Sequence, residues 1–372
     1  MIKVVHIAKP LAGVGIYIKL LSEYLDPMKF EIYILCNKYD DNIEIYNANN
    51  TKIEFRHISI NREIDFFSDY KCFREILTHL KKIKPNIIHC HSAKAGILGR
   101  IAAFYLDIPC LYTPHALSYL SAENSIKKSF FKFVEKSFKF LPSKILACSN
   151  SEYDRICNDL SFPLDKVLLW KNSIDTDNEL CLPKVKLGLP TNYICTIGRP
   201  SYQKNTELLI KTIFEVKKEF DSVHLVVLGV GLFSPAIDRI NNLIHEFNLS
   251  ENISLVEWLP RKETLSVLKN SLFYVSASRY EGLSYAALEA LLFSKPLILT
   301  NVDGNKDLVE PEINGFLVEE NSNIFASKII KLLSDKILVS KMSKESRKKL
   351  DREFDMSKNI EKLENIYNIH SN

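Results

Sequence analysis

The chain contains no run of eighteen or more apolar residues, so no segment is expected to cross a bilayer as a helix. Its eight cysteines, at positions 36, 72, 90, 110, 148, 157, 181 and 195, include no CxxC pair of the kind that marks zinc or redox sites. Most of them sit in apolar, strand-like runs, which reads as reduced core thiols of a cytosolic protein. Charge of one sign is lacking too. With 49 lysines and arginines against 45 acids, the net +4 is too small and too evenly spread for nucleic acid, while anionic ligands and lipid headgroups remain compatible. The apolar part of Met1-Ile2-Lys3-Val4-Val5-His6-Ile7-Ala8 is too short for a signal peptide and runs into a glycine turn, so no targeting segment is expected. What remains is ordinary globular material: 372 residues, 46% hydrophobic and 25% charged, enough for two domains.

Short β-branched runs alternate with amphipathic stretches along the whole chain, the pattern of parallel βαβ units. Strands are predicted at 2–8, 30–36, 53–58, 86–90, 109–113, 143–148 and 167–170, with helices at 15–25, 68–83, 94–106, 125–140 and 150–159. Ser149 three residues before Glu152 is a capping-box signature for the last of these. An irregular segment from Thr176 to Thr191, carrying Pro183, Gly188 and Pro190, reads as a linker. A second series follows, with strands near 193–198, 223–229, 252–256, 272–277, 296–300 and 315–318 and helices near 204–219, 234–247, 262–269, 284–294 and 322–334. The expected fold is therefore α/β, with two doubly wound, Rossmann-like domains over 1–176 and 177–355. A last helix over 356–370 lies beyond the second domain's strands and is expected to pack back on the first.

The unusual residues fall after strands, where open α/β sheets bind ligands, and two such edges facing each other would make a cleft. Glu281 and Glu289 lie eight residues apart, with Gly282 permitting a tight backbone approach and a largely apolar helix carrying the second acid. Burying Glu289 without donors would cost several kcal/mol. Two readings fit the pair alone: a clamp for a polyhydroxylated ligand, or a first-turn acid beside a satisfied structural one. Gly198-Arg199 and Lys204 set a guanidinium and an ammonium five residues apart at a helix start, which suits a diphosphate, although a solvated basic loop would look alike. Gly13 and Gly15 match two glycines of GxGxxG, but Ile18 stands at the third and Leu35-Cys36-Asn37 ends the second strand without an acid. A nicotinamide or flavin cofactor is thus not expected. His115, after a strand and Pro114, should point from the sheet edge. For His89-Cys90-His91 the alternation of faces along a strand, with no carboxylate or second cysteine at ligand spacing, argues against a metal. Ser92, Ala95, Gly96 and Gly99 read as a close-packed helix start. Between 126 and 144, Ile126, Phe130, Phe133, Val134, Phe138 and Leu141 share one helical face, Phe131 and Phe140 lie off it, and Lys127, Lys128, Lys132, Lys136 and Lys139 fall mostly elsewhere. That helix either covers a sheet or docks on an anionic membrane.

Taken together, these residues resemble the retaining glycosyltransferases of the GT-B fold, specifically glycosyltransferase family 4. The likeness covers nearly the whole chain. It runs from the glycine turn at 12–15 through His115, Ser149 to Glu152, Asn172-Ser173-Ile174-Asp175, Gly198-Arg199 with Lys204-Asn205, Gly229-Val230-Gly231, Glu281 to Glu289, Lys295-Pro296, Gly304 and Gly315. His91-Ser92-Ala93-Lys94-Ala95-Gly96 and Thr113-Pro114-His115 are further similar to bacterial capsule, O-antigen and exopolysaccharide members. The resemblance implies an acceptor-side first domain and a second domain that binds a nucleoside-diphosphate sugar, UDP by family base rate. Arg199 and Lys204 would hold the diphosphate, Glu289 the ribose, and Glu281 the transferred sugar, aided by backbone amides at Gly282, Leu283 and Ser284. Gly13 and Gly15 would lie near phosphate and acceptor, His115 near the sugar, and Glu257-Trp258-Leu259-Pro260 near the base. The catalytic set is then Glu281, His115, Arg199 and Lys204, with no metal and no cofactor. A hexose or N-acetylhexosamine would pass to a growing, lipid-linked glycan at the inner face of the cell membrane, with 126–144 as the membrane contact. Ala12, Pro260 and Phe293-Ser294 depart from the family pattern on the acceptor-side loop and beside the base. A nucleotide-sugar epimerase and a non-catalytic sugar-nucleotide binder are the alternatives.

Overall fold

The computed structural model describes residues 1–10, 12–37, 44–61, 64–176, 181–231 and 234–371. The chain divides into two compact units, residues 1–175 with 355–372, and residues 176–354. Of the linker expected over 176–191, residues 177–180 lie outside the described residues, and 181–191 form neither helix nor strand.

The first unit is built on a seven-stranded sheet with strands β1 (Ile2–Ile7), β2 (Phe30–Cys36), β3 (Phe55–His57), β4 (Ile87–His91), β5 (Cys110–Thr113), β6 (Lys144–Ala147) and β7 (Val167–Leu169). All pairings are parallel, in the order β3-β2-β1-β4-β5-β6-β7. Every residue of β4 and β5 is buried, as central strands of a sheet covered on both faces require. Helices α1 (Ala12–Tyr24), α2 (Phe66–Ile83), α3 (Ala93–Leu106), α4 (Ser125–Ser137) and α5 (Asn150–Asp159) make the crossovers.

The second unit repeats the plan. Strands β8 (Ile194–Ile197), β9 (Leu225–Val230), β10 (Ile253–Glu257), β11 (Tyr274–Ser276), β12 (Leu297–Thr300) and β13 (Gly315–Val318) pair in parallel in the order β10-β9-β8-β11-β12-β13. Its helices are α6 (Thr206–Lys217), α7 (Ile237–Glu246), α8 (Arg261–Asn270), α9 (Tyr285–Leu292), α10 (Asn305–Leu308), α11 (Ser322–Ser334) and α12 (Lys336–Glu353). In each sheet the strand order reverses beside the first strand, between β1 and β4 and between β8 and β11, and a crevice opens at such a switch point. The closing helix α13 (Met356–His370) belongs to the first unit, where Trp170 Nε1 donates to Asn359 O at 2.9 Å and Asp26 N to Glu364 Oε1 at 3.0 Å.

Three sequence expectations are corrected. Residues 12–15 are not a turn before a helix: α1 already starts at Ala12, which itself takes the left-handed φ of 48°, and Gly13 and Gly15 are helical. Helix α12 went unread because its buried stripe, Met342, Ser346, Lys349 and Leu350, is half polar. Lys349 is tolerated there because its ammonium donates to Glu310 and Glu353, both at 3.0 Å. The face expected of α4 is split: Ile126, Phe130 and Phe133 are exposed, whereas Phe138 is buried and Phe131, Val134 and Leu141 pack on the core. The inner side is chosen by the buried pair Arg100–Glu135 at 3.2 Å, whose guanidinium lies between the rings of Tyr112 and Phe138.

Candidate functional site

In the second unit the site grows from the β8–β11 switch point. Gly198 follows β8 with φ 151°, and a Cβ there would stand 3.0 Å from the Lys204 side chain, so its absence lets that chain lie along the backbone. Half-buried Arg199 follows directly. Asn205 takes a left-handed φ of 48° to start α6, two residues later than the sequence suggested. That bend turns Lys204 back toward the loop after β11, where Nζ meets Glu281 Oε1 at 2.6 Å. Gln203 Nε2 donates to Tyr280 O at 3.2 Å and to Glu281 Oε2 at 3.4 Å. Glu281 is 8% exposed and is thus a nearly buried carboxylate held by an ammonium and an amide, not a solvated first-turn acid. Gly282 and Leu283 are buried and lead through Ser284 into α9. The turn is braced by Gly304, φ 74°, whose absent Cβ would fall 2.4 Å from Gly282 O.

Glu289, on the second turn of α9, is 4% exposed. Its partner is Arg261, the first residue of α8, with Nη1 2.5 Å from Oε1 in a charge contact that lacks hydrogen-bond alignment. Burial raises the carboxyl above its ordinary range, and the Arg261 charge offsets only part of that. Arg261 is the residue that sequence reasoning missed. The only signal was its place directly after the 257–260 segment assigned to the base.

In the first unit the residues gather at the β1–β4 switch point. Pairing places His6 beside His89. His89 and His91, two apart, share a face of β4, and their ring centroids are 4.2 Å apart, which corrects the reading that alternation separates them. His6 Nδ1 is 2.9 Å from His91 Nε2, and His91 Nδ1 is 3.1 Å from His115 Nε2. His89 bonds Tyr367 Oη on α13 and Thr113 Oγ1, both at 2.8 Å. Burial pushes His6 and His115 down to about 3, and His89 and His91 well below their ordinary value, so all four rings are neutral near pH 7. Nitrogens of His6, His89 and His91 lie within 4.8 Å of one another, the one group of metal-ligand types brought together among the described residues. Each of these nitrogens except His6 Nε2 is engaged in a hydrogen bond. Tyr17, one turn into α1 beyond Gly13 and buried Gly15, sets its ring edge-on to His115 at 4.8 Å.

The loop that carries His115 is strained and pinned. His115 and Ala116 both have positive φ, 56° and 105°. Ala116 N donates to Glu152 Oε1 at 3.0 Å, while Cys148 N donates to Oε2 at 2.9 Å. Ser149 caps α5 as its sequence suggests, accepting from Glu152 N at 3.1 Å, but the glutamate reaches beyond the cap to hold the His115 loop.

Two Rossmann-like units with these loops define a GT-B glycosyltransferase. The family model for Glycosyltransferase Family 4 matches residues 11–178, and that for Glycosyl transferases group 1 matches residues 182–349. The chain is 31% identical, over 98% of its length and 96% of the relative's, to the UDP-Gal:alpha-D-GlcNAc-diphosphoundecaprenol alpha-1,3-galactosyltransferase of Escherichia coli. It is 27% identical to the capsular polysaccharide biosynthesis glycosyltransferase CapM of Staphylococcus aureus, over 93% of this chain and 92% of that one. Sucrose-phosphate synthase from Thermosynechococcus elongatus has the same fold, with a TM-score of 0.84 at 20% identity over 99% of both chains. The chain belongs to glycosyltransferase family 4.

Proposed function

We propose that this chain is a retaining, metal-independent hexosyltransferase that moves a hexose or N-acetylhexosamine from a UDP-sugar to a lipid-linked bacterial surface glycan. The observation that carries the reading is the Lys204–Glu281 contact beside Arg199 at the β8–β11 switch point. A cation and a carboxylate are paired there in an almost buried place, where a diphosphate and a sugar hydroxyl would be complementary replacements for each. Arg199 and Lys204 then stabilise the departing diphosphate, the task that metal ions perform in other transferases. Glu281 accepts from hydroxyls of the sugar, and amides of Gly282, Leu283 and Ser284 assist. Glu289 accepts from the ribose once Arg261 is displaced. Positive charge on the anomeric carbon is met by the leaving phosphate oxygen on the same face as the attacking hydroxyl, which retains configuration without a covalent enzyme intermediate. His115 serves the sugar from the first unit, with Gly13 and Gly15 allowing close approach to acceptor and phosphate.

The UDP donor and the lipid diphosphate acceptor are carried over from the Escherichia coli galactosyltransferase, whose name includes both. No described helix is long and apolar enough to cross a membrane. Contact with an acceptor in the lipid is assigned to α4, which presents Ile126, Phe130 and Phe133 at 77%, 58% and 69% exposure beside exposed Lys127 and Lys128. With that contact the enzyme would work at the inner face of the cell membrane.

The test incubates the purified chain with UDP-galactose, UDP-glucose or UDP-N-acetylglucosamine and a polyprenyl-diphosphate-linked sugar, with and without EDTA. An α-linked product from an α-linked donor, unchanged by EDTA, is expected. A β-linked product or loss of transfer on chelation would overturn the retaining or metal-independent part. Conversion of the donor without acceptor would indicate an isomerase instead.

A further inference from the structure

The contacts His6–His91–His115 form one line of three neutral imidazoles, at 2.9 and 3.1 Å. A neutral imidazole carries one N–H, so His91 donates in one of its two bonds and accepts in the other. The protons must therefore all point the same way. If they run outward, His6 Nδ1–H donates to His91 and His91 Nδ1–H to His115, which leaves His115 with its proton on Nδ1. If they run inward, His115 Nε2–H donates to His91, His91 Nε2–H to His6, and His6 is left with an N–H on Nε2. That last nitrogen is fully buried without a partner. The outward order leaves an unpaired acceptor there, and the inward order an unpaired N–H, which folded proteins almost never bury. The outward order is favoured.

We infer that His91, backed by His6, is a positioning residue that fixes His115 as the Nδ1–H tautomer, so that His115 offers a donor and not a lone pair to the sugar. The role toward the sugar rests on the function proposed above; the tautomer does not. Nothing else in the line can reverse it, because both nitrogens of His89 are held by Tyr367 and Thr113. His115 is partly exposed, and among the described residues its Nδ1 meets no hydrogen-bond partner and is not buried, so that N–H is the end of the line that faces outward. Tyr17 packs edge-on against His91 and His115, at 5.2 and 4.8 Å, and keeps the rings stacked.

The experiment is long-range 1H–15N NMR on the full chain with 15N-histidine, with His115 assigned by the signal lost in His115→Ala. The expected wild-type result is a protonated Nδ1 and an accepting Nε2 on His115. A proton on Nε2, or a mixture of tautomers, overturns the inference from the wild-type spectrum alone, whether or not any variant folds. His91→Asn, whose amide stands where Nδ1 stood, should keep the tautomer, whereas His91→Leu and His6→Leu should release it to a mixture. An unchanged His115 signal in both leucine variants would also overturn it. In transfer assays His91→Leu should lower kcat roughly tenfold or more, with His91→Asn closer to wild type. If His115→Ala transfers sugar at the wild-type rate, the assigned contact with the sugar fails while the tautomer assignment stands.

Discussion

Glu281 and Glu289 are held by different cations, and the difference predicts different behaviour. Lys204 is 2.6 Å from Glu281 and would move onto the diphosphate when donor binds. Lys204→Met should lower kcat about 10²- to 10³-fold, as loss of one preorganised charge donor does. A steady-state assay with the chosen UDP-sugar checks it, and a wild-type kcat would remove Lys204 from the machinery. Arg261 instead neutralises a buried acid whose carboxyl is already raised by burial. A raised carboxyl pKa favours the folded state most at low pH, and that advantage disappears as pH climbs through the folded value. Arg261→Ala should therefore cost about 1–2 kcal/mol at pH 7.5, the partly exposed arginine being screened, and distinctly less at pH 5. Urea melts at the two pH values measure this. An equal cost at both would show that the charge of Glu289 is not what Arg261 answers. Both carboxylates were legible as unusual from their place after a strand and in an apolar helix. Arg261 was not, because 28 positions separate it from Glu289 and only the packing of α8 against α9 joins them.

At the scale of elements, hydrophobic period predicts a helix more surely than it predicts which side is covered. The apolar positions of 126–141 were visible, yet Ile126, Phe130 and Phe133 point to solvent while Phe131 packs inward. Buried Arg100 and Glu135 make this choice, since only one rotation of α4 pairs them. The double change Phe130→Asp with Phe133→Asp should abolish co-sedimentation with vesicles of 30% phosphatidylglycerol and 70% phosphatidylcholine. It should alter stability by no more than about 0.5 kcal/mol, because both side chains are on the surface. Retained sedimentation would move membrane contact to another face. The helix α12 was missed for the complementary reason: its inward stripe includes Ser346 and Lys349, and a polar stripe carries no hydrophobic period.

For the molecule as a whole, the four clustered histidines make the first unit sensitive to acid. Their values lie below the ordinary 6.5 in the fold, to about 3 for His6 and His115, so the unfolded chain binds protons first as pH falls. Their stability is intact above about pH 6.5 and is lost progressively below it. At pH 5.5 each costs on the order of 1 kcal/mol relative to neutral pH, and the four together several kcal/mol, with partly exposed His115 contributing least. Urea unfolding followed by Trp170 fluorescence in a Trp258→Phe background, at pH 7.5 and 5.5, should show it. Superimposable curves would mean that the rings are hydrated. The sequence by itself determined the two α/β halves, most of their elements in order, and the unusual residues on the loops after β5, β8 and β11. Those rest on local apolar runs and on residues that act near their own strand ends. Only the tertiary structure decided that His6 meets His91, that Arg261 meets Glu289, and which face of α4 is inside. Each depends on strands or helices distant in sequence becoming neighbours, and a one-dimensional pattern holds no distance between them.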